Sequence, residues 1–232
     1  MGICRYGRYK GEGELMKSRP IMFSTPMIQA LSHKSQTRRT RGLERINQNP
    51  EGWKLDTMIN GSTACFLPVN SNDPVDVVFI KCPYGVKGDR LWVRETWRPY
   101  SEDKVRIEYK ADGVIIDYPE QPDFFFYACG DKWRSAMFMF RWMSRHLLEL
   151  VEEPIPQRLW DITEQDAIVE GAPAGYIEAS PTIFDRYSPD YKETLKDYRA
   201  GFARLWDSIN RKKYPWSGNY WDWKLVFREI KQ

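Results

Sequence analysis

Hydrophobic and polar positions alternate with a period of two over several short segments, and this pattern predicts β-strands. Within residues 86–97 a turn leads into such a strand, where Leu91 and Val93 occupy one face and Trp92 and Arg94 the other. Other short segments are rich in the β-branched and aromatic residues that favour strands. The further predicted strands are 20–24, 62–67, 76–81, 105–110, 124–129, 146–152 and 223–230, with 105–110 and 124–129 paired with each other.

Helical periodicity is confined to three segments. A short helix follows the first strand, with Ser24 or Thr25 as its N-cap and Pro26 in its first turn, and it ends near His33 and Lys34. The cationic Lys34 is favourable there against the helix dipole.

A second helix is predicted at 161–170, with Thr163 as N-cap, Asp166 three residues on as in a capping box, and Gly171 as the stop. The longest helix is predicted at 191–210. Its apolar face consists of Leu195, Tyr198, Phe202, Leu205, Trp206 and Ile209.

Many short strands, few helices and no alternation of strands with helices predict an α+β fold, a mixed β-barrel with peripheral helices. A chain of 232 residues is long enough to bury a substantial core. Residues 1–15 are rich in glycine and charge and are predicted to be a mobile tail, with Met16 as an alternative start. Residues 43–75 are predicted to be rich in loops because Asn-Pro and Asp-Pro breakers bound them.

Overall charge excludes a protein that coats nucleic acid indiscriminately. The chain has 35 basic and 32 acidic residues and a net charge of +3. Aromatic residues make up 15% of the chain, which suits strands and also suits stacking on bases. For Trp92 and Trp97 we favour burial in the core or at the rim of the barrel over base stacking.

Cysteine and histidine usage argues against a zinc site and against a disulfide framework, because the four cysteines are scattered and the two histidines are far apart. No cofactor or metal is expected. No apolar run approaches the roughly 18 residues that would span a membrane, and the N-terminus has no apolar signal core. We therefore expect a cytoplasmic protein, in a bacterium or a phage-infected cell.

A basic cluster at 31–42 is the strongest chemical signal of the sequence. Between residues 34 and 41 it contains four cations and three hydroxyls, without a carboxylate among them. Arginine forks and lysine ammonium groups suit a phosphate backbone or another polyanion, although a solvated basic turn would have the same composition. The cations are Lys34, Arg38, Arg39 and Arg41, and the hydroxyls are Ser35, Thr37 and Thr40.

Four segments in this order resemble the ASCH family, whose members have a small barrel related to the RNA-binding PUA domains. They are the cluster at 34–39, the turn and strand at 87–94, the helix end at 166–171 and the closing strand at 221–228. The strongest likeness is to the longer ASCH proteins of phages and prophages. The resemblance implies a PUA-like barrel in which Gly88 permits a tight turn.

The resemblance covers residues 16–232 as a single domain, with insertions near 43–80 and 98–130. It departs from the small members at 32–35, where their Gly-Arg-Lys-Thr is replaced by Ser-His-Lys-Ser. The chain is also about twice as long as the small ASCH amidohydrolases, which implies a larger or different substrate.

The resemblance also implies a catalytic set of Lys34, Thr37 and Glu170, which match the family's lysine, the threonine three residues later and the glutamate after an Ala-x-x pattern. Desolvation and neighbouring arginines lower the pKa of a lysine, which is then able to take the proton of a threonine hydroxyl. A glutamate at this position can deliver a proton to the leaving group. Without the resemblance, Glu170 is an exposed carboxylate at a helix end, and Lys34 with Thr37 is a helix C-cap beside a turn hydroxyl.

The predicted partner is RNA or a nucleoside or nucleotide, bound in a basic cleft, and the resemblance implies hydrolysis of N4-acylated cytidine there. Alternatives are a ribonuclease, an RNA-binding module without catalysis, or an adaptor in phage morphogenesis or host takeover. Arg38 and Arg39 are expected to contact phosphate. The other predicted substrate contacts are Ser35, Arg94 and Glu95.

Overall fold

One long strand at the C-terminal end of the chain forms the middle of the main sheet. The computed structural model describes residues 16–70, 76–99, 105–118, 132–178 and 194–230. In this part of the chain there are fourteen strands and three α-helices. The strands are β1 (Ser18–Met22), β2 (Gln36–Arg39), β3 (Trp53–Ile59), β4 (Thr63–Pro68), β5 (Val78–Lys81), β6 (Arg90–Arg94), β7 (Trp97–Pro99), β8 (Arg106–Tyr109), β9 (Ile115–Asp117), β10 (Leu147–Leu150), β11 (Ile155–Arg158), β12 (Gly175–Glu178), β13 (Thr194–Asp197) and β14 (Trp221–Ile230).

The main sheet has six strands and is mixed. Strand β14 pairs with β10 and β11 along one edge and with β2 along the other, and β10 leads through β6 to β1. The β1–β6 pair is parallel and the others are antiparallel. In the described residues no strand pairing joins the outer strands β1 and β2, although Arg39 donates to the carbonyl oxygen of Met22 at 3.0 Å.

The three helices are α1 (Thr25–Gln29), α2 (Glu164–Val169) and α3 (Tyr198–Asn210). The few helices and many strands confirm the α+β class. The predicted capping box of α2 is confirmed, because the Thr163 side chain accepts from the backbone N–H of Asp166 and the Asp166 carboxylate accepts from that of Thr163.

Helix α3 begins later in the chain than residue 191, where the sequence predicted its start. Residues Thr194–Asp197 form a strand that pairs with β12, and the helix begins only at Tyr198. The Asp197 carboxylate accepts from the backbone N–H groups of Arg199 and Ala200, at 2.8 and 3.1 Å. This N-cap ends the strand and starts the helix.

A three-stranded antiparallel sheet, β3-β4-β5, occupies part of the region that was predicted to be rich in loops. Strand β3 was missed because its register shifts between Leu55 and Thr57, and such a bulge interrupts the period of two that reveals a strand. Buried residues of β4 and β5, among them Phe66 and Val78, belong to the main core.

The predicted pairing of 105–110 with 124–129 is wrong. Strand β8 lies between β7 and β9, so both of its edges are occupied. A tight turn with Gly113 at φ +71° connects β8 to β9. Residues 124–129 themselves, like the predicted tail at 1–15, lie outside the described residues.

Buried side chains form three clusters. The main core contains the inward residues of β14, Trp223, Leu225 and Phe227, and a second cluster includes Phe202 and Trp206 of α3. The third cluster surrounds Trp97. Trp92 and Trp97 are 7% and 1% exposed, which confirms that they are buried. Among the described helices, none is long and apolar enough to cross a membrane.

Candidate functional site

A cavity of about 150 Å³ lies beside β2. The five consecutive residues from Thr37 to Arg41 line it. In the described part of the chain, β2 pairs only with β14, so its other edge has no strand partner. An empty space of this volume accommodates a ligand of about the size of one aromatic ring. The remaining lining residues are Met27, Lys34, Tyr84, Glu170, Phe202, Leu205, Trp206, Ile209 and Asn210.

Lys34 and Glu170 meet at this cavity as a buried ion pair. The Lys34 Nζ donates to the Glu170 carboxylate at 2.7 Å and also to the Glu170 backbone oxygen. Both residues are only 5% exposed. Burial lowers the pKa of Lys34, and the opposing charge and hydrogen bond of Glu170 do not cancel that effect. The nearby charge of Arg39 lowers this pKa further.

The end of α2 brings Glu170 to Lys34. The backbone N–H of Ser35 donates to the carbonyl oxygen of Val169 at 3.1 Å, which joins the two segments. Gly171 follows with φ +75°, and a Cβ at this position would lie 3.0 Å from the Cβ of Ala30. A glycine is therefore required here both by the backbone conformation and by the close approach of the two segments.

Two buried oxygens of the site have no hydrogen-bond partner in the described residues. They are Thr37 Oγ1 and Glu170 Oε1, and the Thr37 residue is 1% exposed. An unpaired buried polar atom destabilises the folded state by about 1–3 kcal/mol. Such atoms at the wall of one cavity indicate that a polar ligand or bound water supplies the missing partners.

The Arg38 guanidinium binds carboxylate and amide oxygens inside the protein. It donates to both oxygens of Asp222 at 3.1 and 3.3 Å and to Gln157 Oε1 at 3.0 Å. Its contact with the Asp166 carboxylate is 3.8 Å. Burial raises the pKa of Asp222 to about 7, although Arg38 acts to lower it. The Arg38 side chain therefore has structural partners inside the protein.

The backbone groups of Arg38 point away from β14. The carbonyl oxygen of Ser35 accepts from the N–H of Phe227, and hydrogen-bonded positions recur every second residue of an antiparallel strand. Residues 35, 37 and 39 therefore direct their backbone groups toward β14, and Arg38 directs its own toward the other edge of β2. The carbonyl oxygen of Arg38 accepts from Arg39 Nη1 at 3.2 Å.

Arg39 and Arg41 supply positive charge to the cavity. Arg39 donates to backbone oxygens, and its guanidinium carbon lies 5.3 Å from the centre of the Phe23 ring. Neither arginine has a carboxylate within ion-pair distance in the described residues. The sequence prediction included Arg39 in the site but assigned no role to Arg41, although both belong to the same cluster.

Helix α3 forms an apolar wall opposite these polar groups. Phe202, Leu205 and Trp206 line the cavity, and Tyr84 lines it from another direction. The periodicity of α3 indicated these residues as a buried face, but no signal in the sequence placed that face beside Lys34. The arrangement combines an apolar wall, a buried ion pair and unpaired oxygens, as in a site for a small aromatic ligand with polar substituents.

The other predicted site residues do not line this cavity. Ser35 is exposed. The guanidinium of Arg94 lies 4.5 Å from the centre of the Trp92 ring and donates to the backbone oxygen of Met137. Glu95 is 1% exposed and accepts two hydrogen bonds from Arg145, both at 2.8 Å. The structure thus brings together Lys34, Thr37, Arg38, Arg39 and Glu170, and leaves out Ser35, Arg94 and Glu95.

In the described residues no group of three or more His, Cys, Asp or Glu side chains is arranged to hold a metal ion. Compared with models of protein families, with curated proteins and with solved structures, the chain gives no match. The family resemblance therefore rests on the motifs of the sequence alone.

Proposed function

We propose that the protein is an ASCH-type, PUA-like protein that binds a nucleobase of RNA or of a nucleoside in the cavity beside β2. We further propose that it hydrolyses an acyl amide on that base, as in N4-acylated cytidine. Supporting this are the order of the four family-like segments and the assembly of Lys34, Thr37 and Glu170 around one cavity. The cavity volume of about 150 Å³ suits a single ring.

The observation that carries the proposal is the pair of unpaired buried oxygens, Thr37 Oγ1 and Glu170 Oε1, beside the buried Lys34 ammonium. A base with an acylamino group offers a carbonyl oxygen, an N–H and ring nitrogens to these groups. The apolar wall of α3 supports the ring, because flat ring faces stack on aromatic and aliphatic side chains.

The proposed chemistry uses the Lys34–Glu170 contact as the route for a proton. Lys34 reaches its neutral form by passing a proton to Glu170, a step favoured by the burial that lowers the Lys34 pKa. Neutral Lys34 then takes the proton of Thr37 while Oγ1 attacks the acyl carbonyl carbon. The C–N bond breaks, Glu170 protonates the departing amine, and water subsequently hydrolyses the acyl-threonine ester.

A binding module without catalysis is the second candidate, and a specific observation favours it. The Lys34 ammonium donates to two oxygens of Glu170, and no hydrogen bond joins it to Thr37 among the described contacts. In this second candidate Lys34 keeps its proton and acts as a fixed donor to a base. Catalytic contacts often form only when substrate is bound, so substrate turnover decides between the candidates.

The first test incubates the full chain with N4-acetylcytidine and, separately, with labelled single-stranded RNA, and follows cytidine, acetate and RNA fragments. We expect release of cytidine and acetate, and a fall of about 100-fold or more in turnover for Thr37→Val and Glu170→Gln. Thr57→Val, at an exposed position on β3, is the matched control and retains turnover.

The outcomes separate the candidates. Wild-type turnover in Thr37→Val excludes the threonine as nucleophile. Saturable binding of the nucleoside without turnover favours the binding module. Cleavage of the RNA favours a ribonuclease. If the protein neither binds nor converts any of these ligands, the proposal is overturned and the adaptor role is the remaining alternative.

A further inference from the structure

A second cavity, of about 340 Å³, is lined in part by the turn that follows β5. It is mainly polar and contains four cationic side chains and one carboxylate. They are Lys17, Arg19, Lys81, Lys87 and Asp89; the other lining residues are Met16, Asn60, Ser62, Thr63, Gly85, Val86 and Gly88.

Among the described residues, Asp89 is the one carboxylate that lines this cavity, and it already has hydrogen-bond partners. Asp89 is 7% exposed and accepts from Arg19 at 2.5 Å and from the backbone N–H groups of Lys17 and Val86, at 3.0 and 3.2 Å. Burial acts to raise the pKa of Asp89, but these hydrogen bonds outweigh it and hold the pKa below its usual value. Asp89 is therefore ionised at neutral pH and compensates Arg19.

The three lysines provide an excess of positive charge. In the described residues, no carboxylate lies within ion-pair distance of the side chains of Lys17, Lys81 or Lys87. The Glu153 carboxylate accepts from the backbone N–H of Lys87 at 3.1 Å, not from its ammonium. Unpaired cations that converge on a concave surface attract anions, and phosphate groups above all.

The two cavities are neighbours along the chain. Tyr84 lines the first and Gly85 the second. Gly85 has φ +108°, and a Cβ at this position would overlap the Arg19 guanidinium and the Asp89 carboxylate. The turn therefore passes closely between the aromatic side of the first cavity and the cationic side of the second.

We propose that the second cavity is a phosphate-binding site for the nucleic acid strand whose base occupies the first cavity. The natural ligand is then a single-stranded RNA, with one base beside Lys34 and a neighbouring phosphate beside Lys81 and Lys87, rather than a free nucleoside. The phosphates carry the negative charge that the second cavity attracts, and the base supplies the ring that fits the first. This inference rests on the proposed function.

The test measures binding of a short single-stranded RNA and of N4-acetylcytidine to the full chain, by fluorescence or calorimetry, over about 50–200 mM salt. Lys81→Gln and Lys87→Gln are the test variants, because both side chains are exposed and have no described partner to lose. Lys54→Gln, an exposed lysine on β3, is the matched control. Thr37→Val reports on the first cavity.

We expect each test variant to weaken RNA binding and to lower the slope of log Kd against log salt by about 0.7, the value for one phosphate contact on a single strand. Binding of the uncharged nucleoside remains as in the wild type. Lys54→Gln matches the wild type with both ligands. Thr37→Val weakens binding of both ligands, because both place a base in the first cavity.

The failures of the two proposals are distinguishable. RNA affinity and salt slope equal to the Lys54→Gln control in both test variants overturn the phosphate site, while nucleoside binding continues to support the first cavity. Loss of RNA binding in Lys81→Gln and Lys87→Gln with no effect of Thr37→Val retains the phosphate site and overturns the base site. A wild-type protein that binds neither ligand overturns both.

Discussion

Two buried hydroxyls of this protein have opposite surroundings. Ser144 Oγ donates to the carbonyl oxygen of Val93 at 2.9 Å and lies 3.1 Å from that of His146. Thr37 Oγ1 has no partner in the described residues. A buried hydroxyl with partners contributes to stability, whereas an unpaired one detracts from it. The folded state therefore retains the Thr37 hydroxyl at a cost in stability, which is typical of a group used for a ligand.

The first prediction follows from this contrast. Thr37→Val keeps the shape of the side chain and removes the unpaired oxygen, so the free energy of unfolding stays unchanged or rises, while ligand binding or turnover falls. Ser144→Ala loses about 1 kcal/mol of that free energy. Urea unfolding of both variants measures the difference. A loss of stability in Thr37→Val as large as in Ser144→Ala would show that the hydroxyl has a structural role.

Helix α3 supports the apolar wall of the first cavity, and its position depends on its N-cap. Asp197 accepts two backbone N–H groups of the first turn. Phe202 lies on the second turn and Trp206 on the third, and both belong to the second hydrophobic cluster. Fraying of the first turn would therefore displace the wall as well as weaken the helix.

The second prediction concerns this cap. Asp197→Ala lowers the free energy of unfolding by about 1 kcal/mol, because two backbone N–H groups lose their acceptor. It also weakens ligand binding in the first cavity through displacement of Phe202. Asp197→Asn keeps an acceptor and stays close to the wild type. Urea unfolding and ligand titration measure both effects, and an alanine variant as stable as the asparagine variant contradicts the role of the cap.

Strand β2 shows why an element can escape prediction. Its four residues, Gln36–Arg39, are all polar, so no alternation of apolar positions marks it. It is a strand because β14 offers its edge, with Thr37 opposite Leu225 and Arg38 opposite Lys224. The sequence predicted that Thr37, Arg38 and Arg39 follow the end of a helix in a turn. They lie instead on a strand, where successive side chains point to opposite faces. This separates the Arg38 side chain from Thr37 and Arg39.

At the scale of the whole molecule, the fold brings together residues that are far apart in the chain. Arg38 and Asp222 are 184 residues apart, and Lys34 and Glu170 are 136 apart. Asp222 is completely buried on β14. The free energy of unfolding of the whole protein therefore depends on whether this carboxyl is ionised.

The third prediction concerns pH. The pKa of Asp222 is raised from its ordinary 3.8 to about 7 by burial, so between these values the folded state binds more protons than the unfolded state. Stability from this group therefore falls as pH rises from 4 to 7, by at most about 1.4 kcal/mol per pH unit. Urea unfolding across this range measures the trend.

Two variants isolate the effect of this carboxyl. Asp222→Asn removes the falling trend, and Asp56→Asn, at an exposed position on β3, keeps it. Where Asp222→Asn folds poorly because Arg38 loses its partner, an NMR titration of the Asp222 carboxyl in the wild type replaces it. An Asp222 that titrates near 4 contradicts the prediction.

The sequence by itself determined the α+β class, the strand at 90–94 with its buried Leu91 and Val93, the capping box of α2 and the closing strand. Each of these depends on local periodicity or on a local hydrogen bond. Only the tertiary structure decided which cations of the basic cluster have carboxylate partners. The sequence shows no carboxylate within the cluster, but the fold brings carboxylates to it from elsewhere in the chain. Asp222 and Glu170 come from distant segments to neutralise Arg38 and Lys34, because ion pairs depend on distance in space.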